Sequence, residues 1–298
     1  MGALYKIQGD RMLVQWYPGH MAKARRMLIE NLKLIDVVAE IVDARAPIAT
    51  RNPDFDDLFK DKIRVVLLNK SDLSSETANR AWIEYYRSRG INAIEFVATK
   101  TSKKKTATAL LESAAAEKVQ RYKTRGVMKT VRIMVAGIPN VGKSTFINCL
   151  AGGVRAQVGD KPGVTKGKQW VKITPYLELM DTPGLLWPKL ENERYAKHLA
   201  YIGSVNDNVL DTDELANELL KELAQICPDK LVQRYSGLNP ESGNLVEQVA
   251  QCRGFLISSG VYDIERAARV VLNEYRSGQI ARTALEMPGE AEDNAEEE

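Results

Sequence analysis

Two short polar segments carry the chemistry that this sequence could perform. Residues 137–144 read Gly-Ile-Pro-Asn-Val-Gly-Lys-Ser and match the phosphate-binding pattern G-x-x-x-x-G-K-[ST]. In that pattern backbone N–H groups surround the phosphates, the lysine bonds the β and γ oxygens, and the serine holds Mg²⁺. Residues 69–72 read Asn-Lys-Ser-Asp and match the guanine-reading pattern N-K-x-D. Together the two segments predict a site for GTP or GDP with Mg²⁺.

The order of these segments along the chain is unusual. An ordinary GTPase carries its phosphate loop first and its guanine-reading loop later, whereas here residues 69–72 precede residues 137–144. Since every element is present but rotated, the order predicts a circularly permuted GTPase domain.

The phosphate loop has the sequence context that the pattern requires. An apolar run over 129–136 predicts a strand before it, and 145–150 continue as a helix, so a chance glycine-rich turn is a much weaker interpretation. Lys143 is predicted to bond the β- and γ-phosphates and Ser144 to ligate Mg²⁺. Backbone N–H groups at this helix start are predicted to surround the β-phosphate; they belong to Asn140, Val141, Gly142, Lys143, Ser144 and Thr145.

Residues 181–184, Asp-Thr-Pro-Gly, fit the switch pattern D-x-x-G and follow a predicted hairpin. Asp181 is predicted to hold Mg²⁺ through water, and the Gly184 N–H to sense the γ-phosphate. Thr165, between the two phosphate motifs, is the preferred candidate for the switch threonine on Mg²⁺. Thr174 and Thr182 remain weaker candidates for that role.

The guanine-reading segment selects the base by hydrogen bonding. The Asp72 carboxylate can accept from N1–H and the 2-amino group of guanine, and adenine offers neither donor, so ATP should be rejected. Lys70 is predicted to pack its stem over the base, with Asn69 and Ser71 completing the loop. Residues 98–100, Ala-Thr-Lys, end the next strand, and Ala98 and Thr99 could place a backbone N–H at guanine O6.

The position after the D-x-x-G segment often carries the glutamine that orients the attacking water. Here Leu185 and Leu186 follow it. Leucine cannot hydrogen-bond water, so another residue orients the water or hydrolysis needs a partner; Leu185 is otherwise a packing residue. The chain has two histidines. A lone histidine is usually structural or on the surface, so His20 is a structural or surface residue or a catalytic one, and His198, in a helical stretch, is interpreted as structural or on the surface.

Alternating strands and helices must position these motifs. Apolar runs predict strands at 37–42, 63–68, 91–97 and 129–136, a hairpin at 169–180, and helices at 21–36, 53–60, 75–89 and 106–122. We therefore expect an α/β fold with a mostly parallel sheet, whose ligands bind at the carboxyl ends of the strands. Helices are then predicted at 193–203, 211–226 and 263–276. The predicted domains are the permuted GTPase domain with its N-terminal helix (1–190), a small all-α domain (191–287) and an acidic disordered tail (288–298).

Composition indicates a globular protein: 44% of the 298 residues are hydrophobic and 27% are charged. No secretory signal or membrane-spanning run is recognised, and three widely spaced cysteines indicate a reducing cytoplasm. Removing the six acidic residues of the tail from the net charge of +3 leaves the rest of the chain at about +9. Such a charge fits a polyanionic partner or a solvated basic surface equally well.

These motifs together resemble the circularly permuted YlqF family, the ribosome biogenesis GTPase A group. The resemblance covers nearly the whole chain. It is carried by residues 16–23 (Trp-Tyr-Pro-Gly-His-Met-Ala-Lys), 43–47 (Asp-Ala-Arg-Ala-Pro), 69–72, 137–145 and 181–184, and by 253–254 and 273–278 near the C-terminus. The long segment before Trp16, the acidic tail, and Ala-Thr-Lys in place of Ser-Ala-Lys depart from the family pattern.

The resemblance implies a GTPase that acts late in maturation of the large (50S) ribosomal subunit and hydrolyses GTP on the immature particle. It implies a catalytic role for His20, a K⁺ ligand at Asn140, and a C-terminal domain that contacts ribosomal RNA. We expect a cytoplasmic monomer with no membrane or DNA partner. Two alternatives stay open: an RNA-binding module in which hydrolysis is incidental, and a permuted GTPase that serves the small subunit or tRNA.

Overall fold

The computed structural model describes residues 4–7, 12–15, 18–126, 129–154, 156, 169–185, 192–205, 211–241, 243–258 and 260–289. Within these ranges only the backbone is described for residues up to 22, for residue 24 and for residue 169. The predictions for Thr165, for the His20 side chain and for residues 290–298 therefore lie outside the described residues.

A six-stranded sheet forms the centre of the structure. One of its two central strands, Val37–Asp43, is buried at every residue, which explains its nearly continuous apolar sequence, because parallel strands are covered on both faces. The strands are β1 (Leu4–Ile7), β2 (Met12–Gln15), β3 (Val37–Asp43), β4 (Ile63–Asn69), β5 (Asn92–Glu95), β6 (Val131–Ala136), β7 (Gln169–Thr174) and β8 (Leu177–Asp181).

The strand order is β5-β4-β3-β6-β8-β7, and β1 and β2 form a separate antiparallel pair. All neighbours in the large sheet are parallel except β7 and β8, which form the predicted hairpin. The predicted α/β fold with a mostly parallel sheet is confirmed. Because β3, β4, β6 and β8 run in the same direction, the loops that follow them meet at one edge of the sheet.

Sequence signals define the helix that follows the guanine-reading loop. The Ser75 side chain accepts from the Ala78 N–H at the helix start, and Gly90 (φ +70°) follows its end. No helix in the described ranges is both long enough and apolar enough to cross a membrane. The helices are α1 (Pro18–Leu32), α2 (Asp54–Leu58), α3 (Glu76–Ser88), α4 (Lys104–Ala114), α5 (Ala116–Lys123), α6 (Lys143–Ala151), α7 (Glu193–Tyr201), α8 (Thr212–Ile226), α9 (Pro228–Arg234), α10 (Leu245–Arg253) and α11 (Ile264–Arg276).

The C-terminal region is helical, as predicted. Its helices α7, α8 and α11 match the predicted segments, whereas α9 and α10 were not predicted. Side chains of Asp211, Asn244 and Asp263 accept from backbone N–H groups at the starts of α8, α10 and α11, so each helix has a defined beginning. The apolar face of α11, with Val271 and Tyr275, is buried in the core.

Residues 279–289, here named the C-terminal strap, return from α11 to the sheet. The Trp82 Nε1–H of α3 donates to the Glu286 carbonyl over 3.1 Å, and the Leu285 N–H donates to the Arg45 carbonyl over 2.7 Å. One apolar cluster runs without interruption from β3 to Tyr275 and Leu285. The boundary predicted at 190/191 stays a prediction, since residues 186–191 lie outside the described residues.

Candidate nucleotide site

The phosphate loop lies between β6 and α6. Gly142, directly before α6, has φ +99°, and a Cβ at this position would overlap the Asn69 side chain. At Gly137 (φ +149°) a Cβ would lie 2.6 Å from the Ile41 carbonyl oxygen. Glycine is therefore required at both positions by the backbone and by close neighbours.

The predicted phosphate-binding lysine is buried in its own loop. Lys143 Nζ donates to the Ile138 carbonyl over 2.6 Å, and burial lowers the pKa of Lys143 to about 8, against the opposing attraction of Asp181. A phosphate placed at this loop would favour the charged form of the amine. The loop is thus built to bind an anion with a lysine whose charge is otherwise poorly solvated.

The two predicted Mg²⁺ ligands that the structure describes are in contact. Ser144 Oγ donates to Asp181 Oδ2 over 2.9 Å at the point where α6 faces the end of β8. A hydroxyl and a carboxylate are the oxygen donors that Mg²⁺ prefers, so this pair fits the ion. Thr165 lies outside the described residues. The Thr182 hydroxyl donates to the Val135 carbonyl over 2.6 Å.

The D-x-x-G segment packs directly on the phosphate loop. A Cβ on Gly184 would lie 2.6 Å from the Pro139 nitrogen, and the Leu185 N–H donates to the Gly137 carbonyl over 3.3 Å. Leu185 itself is 3% exposed and belongs to an apolar cluster with Met180. The leucine is therefore a core residue in this structure, and its side chain cannot orient water.

The guanine-reading loop is tied to both neighbouring loops by one side chain. Asn69 Nδ2 donates to the Val141 carbonyl over 2.7 Å, and Asn69 Oδ1 accepts from the Ala98 N–H over 3.0 Å. Asn69 is 2% exposed, so these two hydrogen bonds form away from water. The structure thus brings residues 69–72, 98–100 and 137–144 together, as the motifs require.

Asp72 remains partly exposed at the rim of this loop. Its Oδ2 lies 3.0 Å from Lys100 Nζ. A cavity of 450 Å³ beside it is lined by Asp72, Ser71, Lys100 and, from the C-terminal strap, Arg282. Asp72 is therefore accessible to a base.

Lys70 and Asn140 both adopt left-handed backbone conformations, with φ of +57° and +62°. Lys70 Nζ donates to the Asn140 carbonyl over 3.0 Å and lies 2.9 Å from Asp43 Oδ2. Burial lowers the pKa of Lys70, and the pairing with Asp43 opposes that shift. The lysine thus bridges the guanine-reading loop, the phosphate loop and the end of β3.

Asp43 and Arg45 form a buried ion pair next to Lys70, and the sequence motifs did not predict a role for either residue. Arg45 Nε and Nη2 donate to the two Asp43 oxygens over 2.9 and 2.7 Å, and the side chains are 1% and 0% exposed. Burial alone would raise the pKa of Asp43, but Arg45 and Lys70 outweigh it and hold that pKa well below its usual range. The sequence did contain a signal, because Asp43 ends an apolar strand at the ligand-binding edge of the sheet.

His20 lies in the first turn of α1, which begins at Pro18. Its side chain lies outside the described residues, so its predicted catalytic role stays a prediction. His198 is buried between α8 and the C-terminal strap, and its two ring nitrogens contact Glu286 and Glu222, which agrees with its structural interpretation.

Comparison with known proteins places this arrangement among GTP-using proteins. A family model described as "50S ribosome-binding GTPase" matches residues 132–235. The chain is 42% identical to ribosome biogenesis GTPase A of Priestia megaterium over 94% of this chain and 99% of that protein. It is 32% identical to the Thermotoga maritima protein of the same name over 92% and 95%. The crystal structure of GNP-bound YlqF from T. maritima superposes with a TM-score of 0.64 at 29% identity, covering 89% of this chain and 98% of that one.

Proposed function

The chain belongs to the ribosome biogenesis GTPase A family, and from this premise we propose that it completes its GTPase cycle on the immature large ribosomal subunit. As a member of this family it is a GTPase that takes part in ribosome assembly. The proposal adds a late stage of 50S maturation, stimulation of hydrolysis by the particle, and contact of the helical region with ribosomal RNA. We further propose a cytoplasmic monomer.

The observation that carries the proposal is the meeting of three loops at one edge of the sheet. Asn69 joins the guanine-reading loop to the phosphate loop, and Ser144 joins the phosphate loop to Asp181. In the proposed site Asp72 reads the base, Lys143 bonds the phosphates, and Gly184 senses the γ-phosphate against Pro139. Ser144, Asp181 and Thr165 would hold Mg²⁺, which neutralises charge on the phosphates when bound.

The buried position of Leu185 supports the proposed dependence on a partner. With no hydrogen-bonding side chain at this position, the attacking water must be oriented by another group. We propose that His20 supplies it when the particle is bound, and that Asn140 contributes to a K⁺ site. The same leucine keeps a second function open, an RNA-binding module in which nucleotide acts mainly as a conformational ligand.

The decisive experiment is GTP turnover measured with purified large subunits, with small subunits and without particles, in K⁺ and then in Na⁺. We expect large subunits in K⁺ to raise turnover at least about tenfold, a modest effect beside the 10³–10⁵ that a supplied catalytic group can give. Stimulation by no particle would refute the proposal, and stimulation by small subunits alone would support a small-subunit factor.

A His20→Ala variant tests the proposed catalytic role of His20. Loss of the stimulated turnover, with nucleotide binding intact, would support catalysis by His20. Unchanged stimulated turnover would exclude it. Lys143→Met is the control for loss of nucleotide binding itself.

A further inference from the structure

The carboxyl end of α7 is where the nucleotide loops and the helical region meet. The last carbonyls of a helix have no partners within it and carry partial negative charge. Arg276, at the end of α11, binds two of these groups: Nε donates to the Tyr201 carbonyl over 2.9 Å and Nη2 to the Ala200 carbonyl over 2.6 Å. One helix end is thus held by a cation from another.

Two residues from the loops around the sheet, one in the phosphate loop and one after β3, bind the same helix end. Asn140 Nδ2 of the phosphate loop donates to the Gly203 carbonyl over 3.2 Å. Arg45 Nη2 reaches the Ile202 carbonyl at 3.5 Å, and Arg45 Nη1 donates to the Arg276 carbonyl over 3.3 Å. We name this group the α7-end joint: Arg45, Asn140 and Arg276 with the carbonyls of residues 200–203.

The joint closes a ring through the nucleotide site. From Arg45 the ring passes to Asp43, from Asp43 to Lys70 over 2.9 Å, and from Lys70 back to the Asn140 carbonyl over 3.0 Å. Its second half passes from the Asn140 side chain to the Gly203 carbonyl. It then follows the backbone from Gly203 to Ile202, whose carbonyl accepts from Arg45. Two residues predicted to meet the nucleotide, Lys70 and Asn140, are therefore held by the same hydrogen-bond network.

We propose that the α7-end joint couples nucleotide binding to the packing of the helical region, with Arg45 and Arg276 as positioning residues for Lys70 and Asn140. Arg276 fixes the position of the carboxyl end of α7 through its hydrogen bonds to the carbonyls of residues 200 and 201. The Gly203 carbonyl in turn fixes the position of the Asn140 side chain. Coupling of this kind is reciprocal, so bound nucleotide must stabilise the joint by the same factor. The inference rests on the proposed nucleotide site but not on the ribosomal particle.

A merely structural role for Arg276 would give a different result from coupling. If Arg276 only capped α7, its replacement would lower stability and leave nucleotide affinity unchanged, as would any loss of a helix cap. If Arg276 acts through Asn140, replacing Arg276 must lower nucleotide affinity when asparagine is present at position 140 and have no effect when alanine is present there.

The test is a double-mutant cycle on the affinity for mant-GDP, measured by fluorescence titration in the full chain. Arg276→Gln and Asn140→Ala are made singly and together. Arg269→Gln is the matched control, because Arg269 is exposed on the same helix and pairs at 2.7 Å with Glu265 of that helix, which is not part of the joint. Urea unfolding without nucleotide monitors the fold of each variant.

We expect Arg276→Gln to weaken mant-GDP binding at least about threefold, the lower range of coupling between contacting residues, and to have no further effect once Asn140 is alanine. Arg269→Gln should leave the affinity for mant-GDP unchanged. Equal effects in both backgrounds, or no effect of Arg276→Gln, would overturn the proposal. If Arg276→Gln does not fold, Arg276→Lys, which keeps the charge but loses the planar fork, is held to the same criteria.

Failure of the coupling is distinguishable from failure of the nucleotide site. Absence of mant-GDP binding to the wild-type chain would refute the site itself, whereas binding without coupling would refute only the joint. Hydrogen exchange gives the reciprocal measurement: bound GDP should slow exchange of the Ser204 N–H, which donates to the Leu199 carbonyl over 2.8 Å. This protection should be lost in Asn140→Ala, and its persistence there would contradict the proposal.

Discussion

His198 Nδ1 lies 2.6 Å from Glu286 Oε1, and both side chains are completely buried. The other ring nitrogen lies 2.9 Å from Glu222 Oε1. Glu286 also accepts from the Ile48 N–H over 2.5 Å and from the Ala49 N–H over 3.2 Å. This one contact therefore links α7, the C-terminal strap and the loop that follows β3.

The first prediction concerns the pH dependence of stability. Burial alone would lower the pKa of His198, but hydrogen bonds to Glu222 and Glu286 outweigh it and raise the pKa to about 9, from 6.5. A raised pKa stabilises the folded state fully below about pH 6.5, and this stabilisation, at most about 3 kcal/mol, is lost as pH rises through about 9.

Urea unfolding of the wild type and of His198→Gln at pH 6, 7.5 and 9.5 measures this contribution. The difference in unfolding free energy between the two proteins should shrink as pH rises. A difference that stays constant would contradict the prediction. His20→Gln removes the other histidine of the chain and serves as the control.

The second prediction concerns Asn69. Asn69→Ala removes the two buried hydrogen bonds that join the guanine-reading loop to Val141 and Ala98. Each buried group left unsatisfied costs about 1–3 kcal/mol, so we expect mant-GDP affinity to fall at least about tenfold. Asn31→Ala is the control, because Asn31 is also buried but donates to the Met27 carbonyl within α1. It should lower stability and leave affinity unchanged; equal loss of affinity in both variants would disprove the assigned role.

The third prediction concerns the choice of base. A carboxylate at Asp72 accepts two hydrogen bonds from guanine, whereas the carboxamide of Asp72→Asn presents one donor and one acceptor, which matches xanthine. One charge-assisted bond to guanine is lost and the other becomes a neutral one, which corresponds to about a hundredfold weaker GTP binding, and XTP should become the preferred nucleotide. Competition titrations measure this preference. Asp61→Asn, at an exposed position, is the control, and an unchanged preference for GTP in Asp72→Asn would exclude Asp72 as the base reader.

The fourth prediction concerns the position after the D-x-x-G segment. Leu185→Gln places an amide in an apolar cluster, since the Leu185 side chain is 3% exposed there. We expect unfolding to become easier by about 2–4 kcal/mol and turnover without particles to stay unchanged. Thermal unfolding and GTP turnover test this. Faster turnover without loss of stability would show that the side chain can reach the attacking water.

Local signals were enough to predict the sheet, most helices and the loops that bind phosphate and guanine. Each of these depends on a short pattern, such as the apolar run of β3 or the glycines of residues 137–142, that acts on nearby backbone. Signals for α9 and α10 were also present. Pro228 occupies the first turn of α9, and Asn244 and Gly254 (φ +63°) bound α10.

The α7-end joint and the contacts of Glu286 could not be predicted from such patterns. Arg45 and Ile202 are 157 residues apart in sequence, and Ala49 and Glu286 are 237 apart. No local rule relates residues at such separations. Glutamate is also a residue type normally found on the surface, so the sequence does not indicate that Glu286 is buried. Only the packing of the helical region against the sheet brings these groups together.

The C-terminal strap also has a consequence for the order in which the protein is made. The ribosome synthesises the guanine-reading segment first, yet the loop after β3 receives its partners, Leu285 and Glu286, only after the sheet and helices α7 to α11 have been made. Until then the backbone N–H groups of Ile48 and Ala49 lack their carboxylate and Trp82 lacks its carbonyl acceptor. A nascent chain truncated before the strap thus carries all the nucleotide motifs without the segment that contacts the loop after β3 and Trp82, so these contacts form late in synthesis.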